Sequence, residues 1–435
     1  MTTAKGVRPL SGVRILDMTV AWAGPYATML LADLGAEVIR VENINVFPSM
    51  SRGMQARPSR EFIRAQIAEV GGYPDREPGK RPWNRCPFFN VHARSKKSVT
   101  IDIRHPRGLE LFFALAAISD AVVENNPMET LEKLGLTWER LSAINERLIF
   151  VRMPAFGNSG PYRGYRALGT HLEAFLGQTA LRRYQDLDPS MNNTTFASDF
   201  LGGASAAQAL LLALIQRGST GRGCLVEVSQ AENALALMAE AIMDCTANHR
   251  EREPLGNRDE FAIQGCYPCR SDGTDKWINI RSSTDAEWAN LKRAMASPEW
   301  AEDPAFDDVI SRRSRQDEID THIAAWTREK DAWELSRWLQ AKGVTAGPVI
   351  DHSSAFEDEQ LKARGFFVRL SNEDCGEHLY PGAAWKSENF PVDFVRGPVR
   401  LGEDNEYVYL DLLGVSRDEY ERLKDQGVLG TEYRL

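Results

Sequence analysis

The chain has 435 residues, a length that predicts two or three folding units rather than one. Its content of 43% hydrophobic and 26% charged residues is typical of a globular protein and argues against a disordered or fibrous chain. The formal net charge of −9 argues against a nucleic-acid binder, because phosphate contacts require a basic face.

No secretion signal or membrane span is predicted. The residues before the first predicted strand contain no apolar run of signal-peptide length. The longest apolar stretches, such as residues 206–215, are shorter than the roughly 20 residues that a membrane-spanning helix needs. We therefore expect a cytoplasmic protein that has no membrane partner.

Six cysteines are too sparse for a disulfide framework in a chain of this length. Cys266 and Cys269 have the CxxC spacing of redox and zinc sites, but no second CxxC or HxxxH motif supplies further ligands. We interpret them as structural thiols in a strand and turn, and we expect no metal.

The first part of the chain alternates between strand and helix patterns. Residues 13–18 and 37–42 are predicted strands, and residues 24–34 between them are a predicted helix. The loop 19–25 follows the first strand, at the end where open α/β sheets bind ligands. Glu42 imitates a ribose-binding acid, but the loop has one glycine rather than the three of a dinucleotide fingerprint.

Residues 46–87 are rich in Pro, Gly and Arg and are interpreted as a long excursion with one short helix at residues 60–70. The α/β alternation then resumes, which places residues 10–155 in one doubly wound domain. After residue 259 the pattern changes to short strands, which predicts a second, smaller domain. The predicted boundaries are a large α/β domain at 1–230, a linker helix at 231–258, a small α+β domain at 259–335 and a return segment at 336–435.

Several segments, in order and spacing together, resemble one family, the class III CoA-transferases, which is related to formyl-CoA transferase and to α-methylacyl-CoA racemase. The segments that carry this resemblance are Leu10-Ser-Gly-Val-Arg-Ile-Leu-Asp17, Ala23-Gly-Pro25, residues 31–42, Lys97-Ser-Val-Thr-Ile-Asp102, Val123-Glu-Asn125, Lys133-Leu-Gly-Leu136, Thr220-Gly-Arg-Gly223, Arg364-Gly-Phe-Phe367 and Leu412-Leu-Gly-Val-Ser416. The resemblance implies a Rossmann-like large α/β domain formed by both chain ends, an inserted smaller α+β domain and an interlocked homodimer.

The resemblance also implies that Asp199 is the catalytic nucleophile, since the family's aspartate precedes a helix start that contains glycine. Such a carboxylate takes CoA from an acyl-CoA and passes it to an acceptor carboxylic acid through an aspartyl intermediate. The N–H groups of Gly202 and Gly203 are expected to face the developing oxyanions. The alternative for Asp199 alone is a helix cap, because Asp is a favoured N-cap residue.

Coenzyme A is the expected cofactor, bound as the acyl-CoA substrate. By resemblance it lies against the first β-α loop, and its phosphates meet cations near the nucleotide end. Solvated surface charge is the alternative for each of these cations. The expected CoA-binding residues are Ala21, Trp22, Ala23, Arg104, Asn125, Lys133 and Arg166.

Three positions separate possible activities. Formyl-CoA transferase has glutamine where Trp22 stands and tyrosine where Leu168 stands, so these positions argue against formyl-CoA and oxalate as substrates. A bulkier, more apolar acyl group suits Trp22, Leu168 and Phe175, although core packing explains the same residues.

The racemase histidine aligns with Leu168, which favours CoA transfer over proton transfer at the α carbon. His171 lies three residues away and keeps racemase, isomerase or lyase chemistry open. Glu173 is a possible second acid or a structural helix residue. A non-catalytic CoA-binding protein is the third hypothesis, and it would be favoured if Asp199 were buried and engaged in capping.

Overall fold

The computed structural model describes residues 6–66 and 72–434. The chain divides into two compact units. The large unit comprises Met1–Leu176, Thr194–Glu240 and Gly365–Leu435, and the small unit comprises Gly177–Asn193 and Ala241–Arg364.

Six parallel strands form the sheet of the large unit, in the order β3-β2-β1-β4-β5-β6. Their bounds are β1 Arg14–Asp17, β2 Glu37–Glu42, β3 Lys97–Thr100, β4 Ala121–Glu124, β5 Ile149–Arg152 and β6 Leu225–Glu227. This is the order of a doubly wound sheet, and the direction in which successive strands are added to the sheet reverses between β1 and β4. A crevice at the carboxyl ends of β1 and β4 is therefore the expected ligand site.

Apolar side chains alternate between the two faces of this sheet because successive strand residues point in opposite directions. Ile15 and Val123 pack with the helices Ala23–Asp33 and Ala197–Thr220, whereas Leu16 packs with the helix Pro106–Ala117 on the other face. Both faces are covered, as parallel sheets require.

The large unit also contains helices, short 3₁₀ turns and a hairpin. Its α-helices are Ala23–Asp33, Arg60–Ala65, Pro87–Asn90, Pro106–Ala117, Met128–Lys133, Trp138–Ile144, Gly169–Phe175, Ala197–Thr220, Gln230–Leu235 and Arg417–Asp425, and Tyr407–Leu412 is a π-helical turn. Short 3₁₀ turns occur at Pro74–Arg76, Pro82–Asn84 and Ala236–Met238. A hairpin of β10 (Phe367–Asn372) and β11 (Gly376–Pro381) lies in the carboxyl-terminal segment.

The helix Ala197–Thr220 is, among the described residues, the one whose length and composition would allow it to cross a membrane. Its glycines instead permit close packing in the core of the unit. A Cβ on Gly203 would lie 2.5 Å from the Ala23 carbonyl oxygen and 2.8 Å from the Tyr26 ring. The absent side chain lets this helix pack closely against Ala23–Asp33.

The small unit contains an antiparallel sheet of three strands, β7 (Ile263–Pro268), β8 (Trp277–Ser282) and β9 (Thr345–Val349), in sequence order. Its helices are Gln178–Leu181, Asp285–Ala294, Val309–Ser314, Gln316–Thr327, Ala332–Ala341 and Glu359–Ala363, with 3₁₀ turns at Pro189–Met191, Glu299–Glu302, Pro304–Phe306 and Ser354–Phe356. The helix Ala239–Asn248 joins the last residues of one large-unit segment to the small unit.

The predicted boundary at residue 336 is wrong. Residues 336–364 belong to the small unit because β9 pairs with β8, with Trp277 opposite Val349. The return to the large unit starts at Gly365. Sequence predicts that residues 344–350 form a strand, but strand propensity does not identify the neighbour with which a strand pairs.

The first residues of the long loop segment 46–87 pack into the large unit. The guanidinium of Arg52 is fully buried and binds the Glu42 carboxylate with Nε–Oε1 and Nη2–Oε2 distances of 2.6 and 2.7 Å. Glu42 also accepts a hydrogen bond from the Ser98 hydroxyl. This carboxylate is therefore a structural anchor rather than a ribose acceptor. The predicted helix forms at Arg60–Ala65, and residues 67–70 of the prediction lie outside the described residues.

Candidate active site

The loop after β1 is held in place from two sides. The Asn125 side chain accepts a hydrogen bond from the Val20 N–H at 2.7 Å and donates one to the Val20 carbonyl at 2.9 Å. The Ala21 N–H donates to the Ser51 hydroxyl oxygen at 2.8 Å. These bonds fix Ala21 in the left-handed region at a φ of 60°, a costly conformation for a residue other than glycine.

Asp199 is the third residue of the helix Ala197–Thr220. Phe196, which precedes the helix, also has a positive φ of 54°, so backbone strain occurs on both sides of the site. The Asp199 side chain does not cap the helix, and it is 8% exposed. Its carboxylate receives a hydrogen bond from the backbone N–H of Ala23.

Gly169 leaves the space that the Asp199 carboxylate occupies. A Cβ on Gly169 would overlap Oδ2 of Asp199 and would approach Oγ of Ser198 to 2.9 Å. The Ser198 hydroxyl in turn donates to the Gly169 carbonyl at 2.9 Å. The glycine and the start of the long helix therefore form one closely fitted unit.

Glu173 shapes the turn that presents Asp199. It is 1% exposed and accepts hydrogen bonds from the N–H groups of Thr195 and Ala197 and from the Thr195 hydroxyl, at 2.8 to 3.2 Å. Its carboxylate thus satisfies N–H groups at the start of the helix, a role that a side-chain cap usually fills.

The pKa of Asp199 is raised to about 6. Burial is the main cause because it disfavours the charged form, and repulsion from Glu173 adds to it. The Ala23 N–H acts in the opposite direction. A carboxylate with this pKa is mostly ionised at neutral pH, and its charge is only weakly compensated by the protein.

Asp199 opens onto a cavity of about 230 Å³ within the large unit. The cavity lies at the carboxyl ends of β1 and β4, where the sheet order reverses. Its lining residues are Val20, Ala21, Asn125, Asn126, Pro127, Met128, Glu129, Pro154, Ala155, Arg163, Gly164, Tyr165, Arg166, Ala167, Leu168, Gly169, Asp199 and Gln230. No histidine is among these described lining residues.

His171 has a local structural role. Its Nδ1 accepts a hydrogen bond from the Leu168 N–H at 3.1 Å and so caps the helix Gly169–Phe175. The side chain is exposed and does not line the cavity. The condition that would favour proton transfer, a histidine facing Asp199 across one cavity, is not met among the described residues.

A second cavity, of about 380 Å³, follows the carboxyl ends of β1 to β3. Arg104 and Lys133 both line it, and each has an ion pair at the surface, with Asp102 and Glu129 respectively. The two cavities share Val20 and Asn126 as lining residues.

Arg166 lies elsewhere than predicted. It lines the cavity of Asp199 and not the cavity of Arg104 and Lys133. Sequence distance cannot assign a loop residue to one of two adjoining cavities.

Trp22 differs from its predicted role as well. Its ring stacks on Phe196 with a centroid distance of 5.4 Å and contacts the rings of Phe88, His92 and Phe200 edge-on. It lines neither of these cavities, and neither does Phe175. Of the three residues expected to favour an apolar acyl group, only Leu168 lines the cavity of Asp199.

Gly202 and Gly203 also act differently from the expectation. Both lie beyond the first turn of the long helix, where N–H groups bond to carbonyls four residues earlier. Those N–H groups are not directed at an oxyanion. Their contribution is steric, since a Cβ on Gly202 would lie 3.2 Å from the Gln230 side chain.

Sequence reasoning missed Gly169, Ser51 and Gln230. Gln230 lines the cavity and donates to the Met153 carbonyl at 2.9 Å. Gly169 follows Leu168 in the chain, and no local motif marks it as a site residue. Among the described residues, no group of three or more His, Cys, Asp or Glu side chains is arranged to hold a metal ion.

Comparison with known proteins identifies the family of this chain. The model of CoA-transferase family III matches residues 10–405. The chain is 34% identical to succinyl-CoA–D-citramalate CoA-transferase of Chloroflexus aurantiacus, over 99% of this chain and 100% of that protein. It is 28% identical to formyl-CoA:oxalate CoA-transferase of Streptomyces coelicolor, over 97% and 99% of the two chains.

A solved structure shows the same fold. A CAIB/BAIF family protein from Brucella suis superposes with a TM-score of 0.78 at 25% identity, covering 94% of this chain and 100% of that one. The resemblance found in the sequence is therefore confirmed. The chain belongs to CoA-transferase family III and is an enzyme of that class.

Proposed function

We propose that this enzyme transfers CoA between carboxylic acids with Asp199 as the covalent nucleophile. The observation that carries the proposal is a buried carboxylate with a pKa of about 6 that faces a cavity with no histidine among its described lining residues. A buried carboxylate whose charge is weakly compensated is a stronger nucleophile than a solvated one.

The first half of the reaction moves CoA onto the enzyme. An oxygen of Asp199 attacks the thioester carbonyl carbon and the C–S bond breaks. CoA departs as a thiolate, and the acyl group and Asp199 form a mixed anhydride. The thiolate then attacks the side-chain carbonyl carbon of Asp199, and the donor acid leaves as a carboxylate. The product is an aspartyl-CoA thioester, so the energy of the thioester is retained.

The second half repeats these steps in reverse with the acceptor. The acceptor carboxylate attacks the aspartyl carbonyl carbon, thiolate leaves, and the thiolate then attacks the acyl carbon of the acceptor. Asp199 is released as a carboxylate, and no net proton transfer is required. The electron pairs therefore balance without a general base, in agreement with the absence of histidine among the described lining residues.

The two adjoining cavities offer a place for each end of CoA. The second cavity combines the cations Arg104 and Lys133 with apolar side chains such as Ile101 and Leu131, which suits a phosphorylated nucleotide and its base. Exposed ion pairs contribute little, so both cations can turn to phosphates at small cost. The pantetheine arm would pass Val20 and Asn126 and bring the thioester to Asp199.

The donor and acceptor are proposed to be an acyl-CoA and a free carboxylic acid, and the working form a cytoplasmic homodimer. The relatives named above act on succinyl-CoA with D-citramalate and on formyl-CoA with oxalate.

A direct test is isotope exchange between an acyl-CoA and its own labelled acid. The proposal predicts label in the thioester without net hydrolysis, whereas hydrolysis alone would contradict it.

The pH dependence of the reaction is a second test. Only ionised Asp199 can attack, and its pKa is raised to about 6, so kcat/KM should fall about tenfold per pH unit below that value. Above pH 6 the carboxylate is already ionised, so kcat/KM should no longer depend on the ionisation of Asp199. Steady-state rates between pH 4.5 and 8 would measure this acid limb of the pH profile. A value of kcat/KM that does not change around pH 6 would contradict the assignment of Asp199 as the nucleophile.

Glu173→Gln should move that acid limb to lower pH. The substitution removes the negative charge that raises the pKa of Asp199 and leaves a side chain of the same shape. Some stability should be lost as well, because Glu173 accepts hydrogen bonds at the helix start. A limb that stays in place, in a variant shown to be folded by circular dichroism, would mean that Glu173 does not act on Asp199.

A further inference from the structure

Two strained turns meet beside Asp199. Ala21, in the loop after β1, has a φ of 60°, and Phe196, three residues before Asp199, has a φ of 54°. Residues other than glycine stay in this conformation only where the surrounding structure holds them in it. A contact that holds both turns is therefore expected close to the nucleophile.

The rings of Trp22 and Phe196 supply that contact. Their planes are almost parallel, with an angle of 1° between them, and their centroids are 5.4 Å apart. Parallel rings at this distance are offset, an arrangement that aromatic pairs favour. Trp22 directly follows Ala21 in the chain, and Phe196 is itself a strained residue. The stack therefore joins the loop after β1 to the start of the long helix.

Three further rings hold the stack from its edges. Phe88, His92 and Phe200 contact the Trp22 ring edge-on, at centroid distances of 5.1 to 5.8 Å. Burial is the main cause that lowers the pKa of His92, to about 3, so this ring is neutral at neutral pH. The cluster therefore acts through packing rather than through charge.

The stack is connected to Asp199 from both of its sides. Phe196 and Phe200 are four positions apart, a spacing that places both on one face of the helix start, toward Trp22. Asp199 lies between them in the chain and faces the cavity. Ala23, the neighbour of Trp22, donates its N–H to the Asp199 carboxylate. A shift of either stacked ring would therefore move an element that sets the position of this carboxylate.

We propose that the stack of Trp22 on Phe196 positions the nucleophile by holding the Asp199 carboxylate against the Ala23 N–H and toward the acyl carbon. Neither ring is among the described lining residues of the Asp199 cavity, so both act through the backbone and not on the substrate. This inference rests on the proposed function of Asp199 and adds two positioning residues to it. A misplaced reacting group slows the chemical step, so the stack should act on kcat.

Leucine in place of either ring keeps apolar volume and removes the stack. Trp22→Leu and Phe196→Leu should each lower kcat per folded enzyme about 10- to 100-fold and leave KM nearly unchanged. Trp22→Phe keeps a flat ring and should recover most of the rate. The measurement is isotope exchange of acetyl-, butyryl- and succinyl-CoA, each with its own labelled acid, and the variants are compared on the pair that the wild type exchanges fastest.

Phe196→Gly separates the ring from the backbone. Glycine adopts a positive φ without strain, so this variant removes the stack and keeps the turn. It should lose as much kcat as Phe196→Leu while it remains folded by circular dichroism. The double variant Trp22→Leu with Phe196→Leu should lose no more than about the larger of the two single losses, because both substitutions remove the same contact.

His322→Leu is the matched control. The His322 ring stacks on Trp300 with 5° between the planes and 4.4 Å between the centroids, and both residues belong to the small unit. Removal of this stack should leave kcat and KM unchanged. An equal loss of kcat in this control would mean that the effect is not specific to the stack at the nucleophile, and would overturn the inference.

Wild-type kcat in the leucine and glycine variants would also overturn the inference, as would losses that multiply in the double variant. A loss that lies entirely in KM would do the same, because it would indicate contact with the substrate. So would a loss that only follows the folded fraction. A covalent adduct on wild-type Asp199 judges the proposed function separately, and such an adduct together with wild-type kcat in the variants would reject the role of the stack alone.

Discussion

Replacement of Asp199 by Asn is expected to lower the rate of CoA transfer by at least about a thousand-fold. Asn keeps the size of the side chain and can still accept the hydrogen bond from the Ala23 N–H, but it cannot attack a thioester. The measurement is isotope exchange with wild-type and variant at equal CoA-thioester saturation. Asp425→Asn, an exposed position in another helix, should keep full activity.

The same variant should also be more stable at neutral pH. The folded-state pKa of Asp199 is raised from 3.8 to about 6, so ionisation opposes folding fully above pH 6 and not at all below pH 3.8. Asn removes this penalty, and the gain in thermal stability should shrink as the pH falls from 7 toward 4. An inactive variant of raised Tm indicates a functional carboxylate, whereas an inactive variant of lowered Tm indicates a structural one.

Gly169→Ala is expected to lower activity on the order of 100-fold, as for a misplacement of about 1 Å at a reacting group. The added methyl group would overlap Oδ2 of Asp199, and the glycine carbonyl is also the acceptor for Ser198. The carboxylate must turn or the two helices must separate. Exchange kinetics and the yield of covalent adduct would both report the displaced nucleophile.

Gly218→Ala is the matched control for this substitution. Gly218 lies in the same long helix as Asp199, and nothing lies within 4 Å of the Cβ that alanine would add. Alanine also has the higher helix propensity, so the control should be active and at least as stable as wild type. Full activity of Gly169→Ala would show that the fit between Gly169 and Asp199 is not needed for transfer.

The sequence predicted the parallel strands well because each carries a short segment with Val, Ile, Leu or Phe side chains between turn residues. It predicted an apolar helix next to Asp199, although the helix begins at Ala197 and includes Asp199 in its first turn. It also placed Asn125, Ala21 and Ala23 near one loop. These are consequences of local pattern and of family resemblance. The boundary at Gly365 was missed because the pairing of β9 with β8 joins residues about 70 positions apart, which no local signal encodes.

Where the site differs from the sequence-based expectation, the reason is physical: a sequence does not show in which direction a side chain points. Trp22 lies in the predicted loop 19–25, yet its ring packs in a cluster of aromatic side chains. Arg166 was expected near the nucleotide end by family resemblance, and its side chain lines the cavity of Asp199. Gly169 could not be found, since a glycine needed for space looks like any other until its neighbour is known.

The most direct test of the account is to trap the covalent intermediate. The enzyme is incubated with acyl-CoA donors, treated with hydroxylamine or borohydride, and analysed by intact mass and peptide mapping. The account predicts an adduct of CoA before trapping and a modified Asp199 after it, both lost in Asp199→Asn. Exchange of the α-proton of the donor with deuterated water, without any adduct on Asp199, would contradict it.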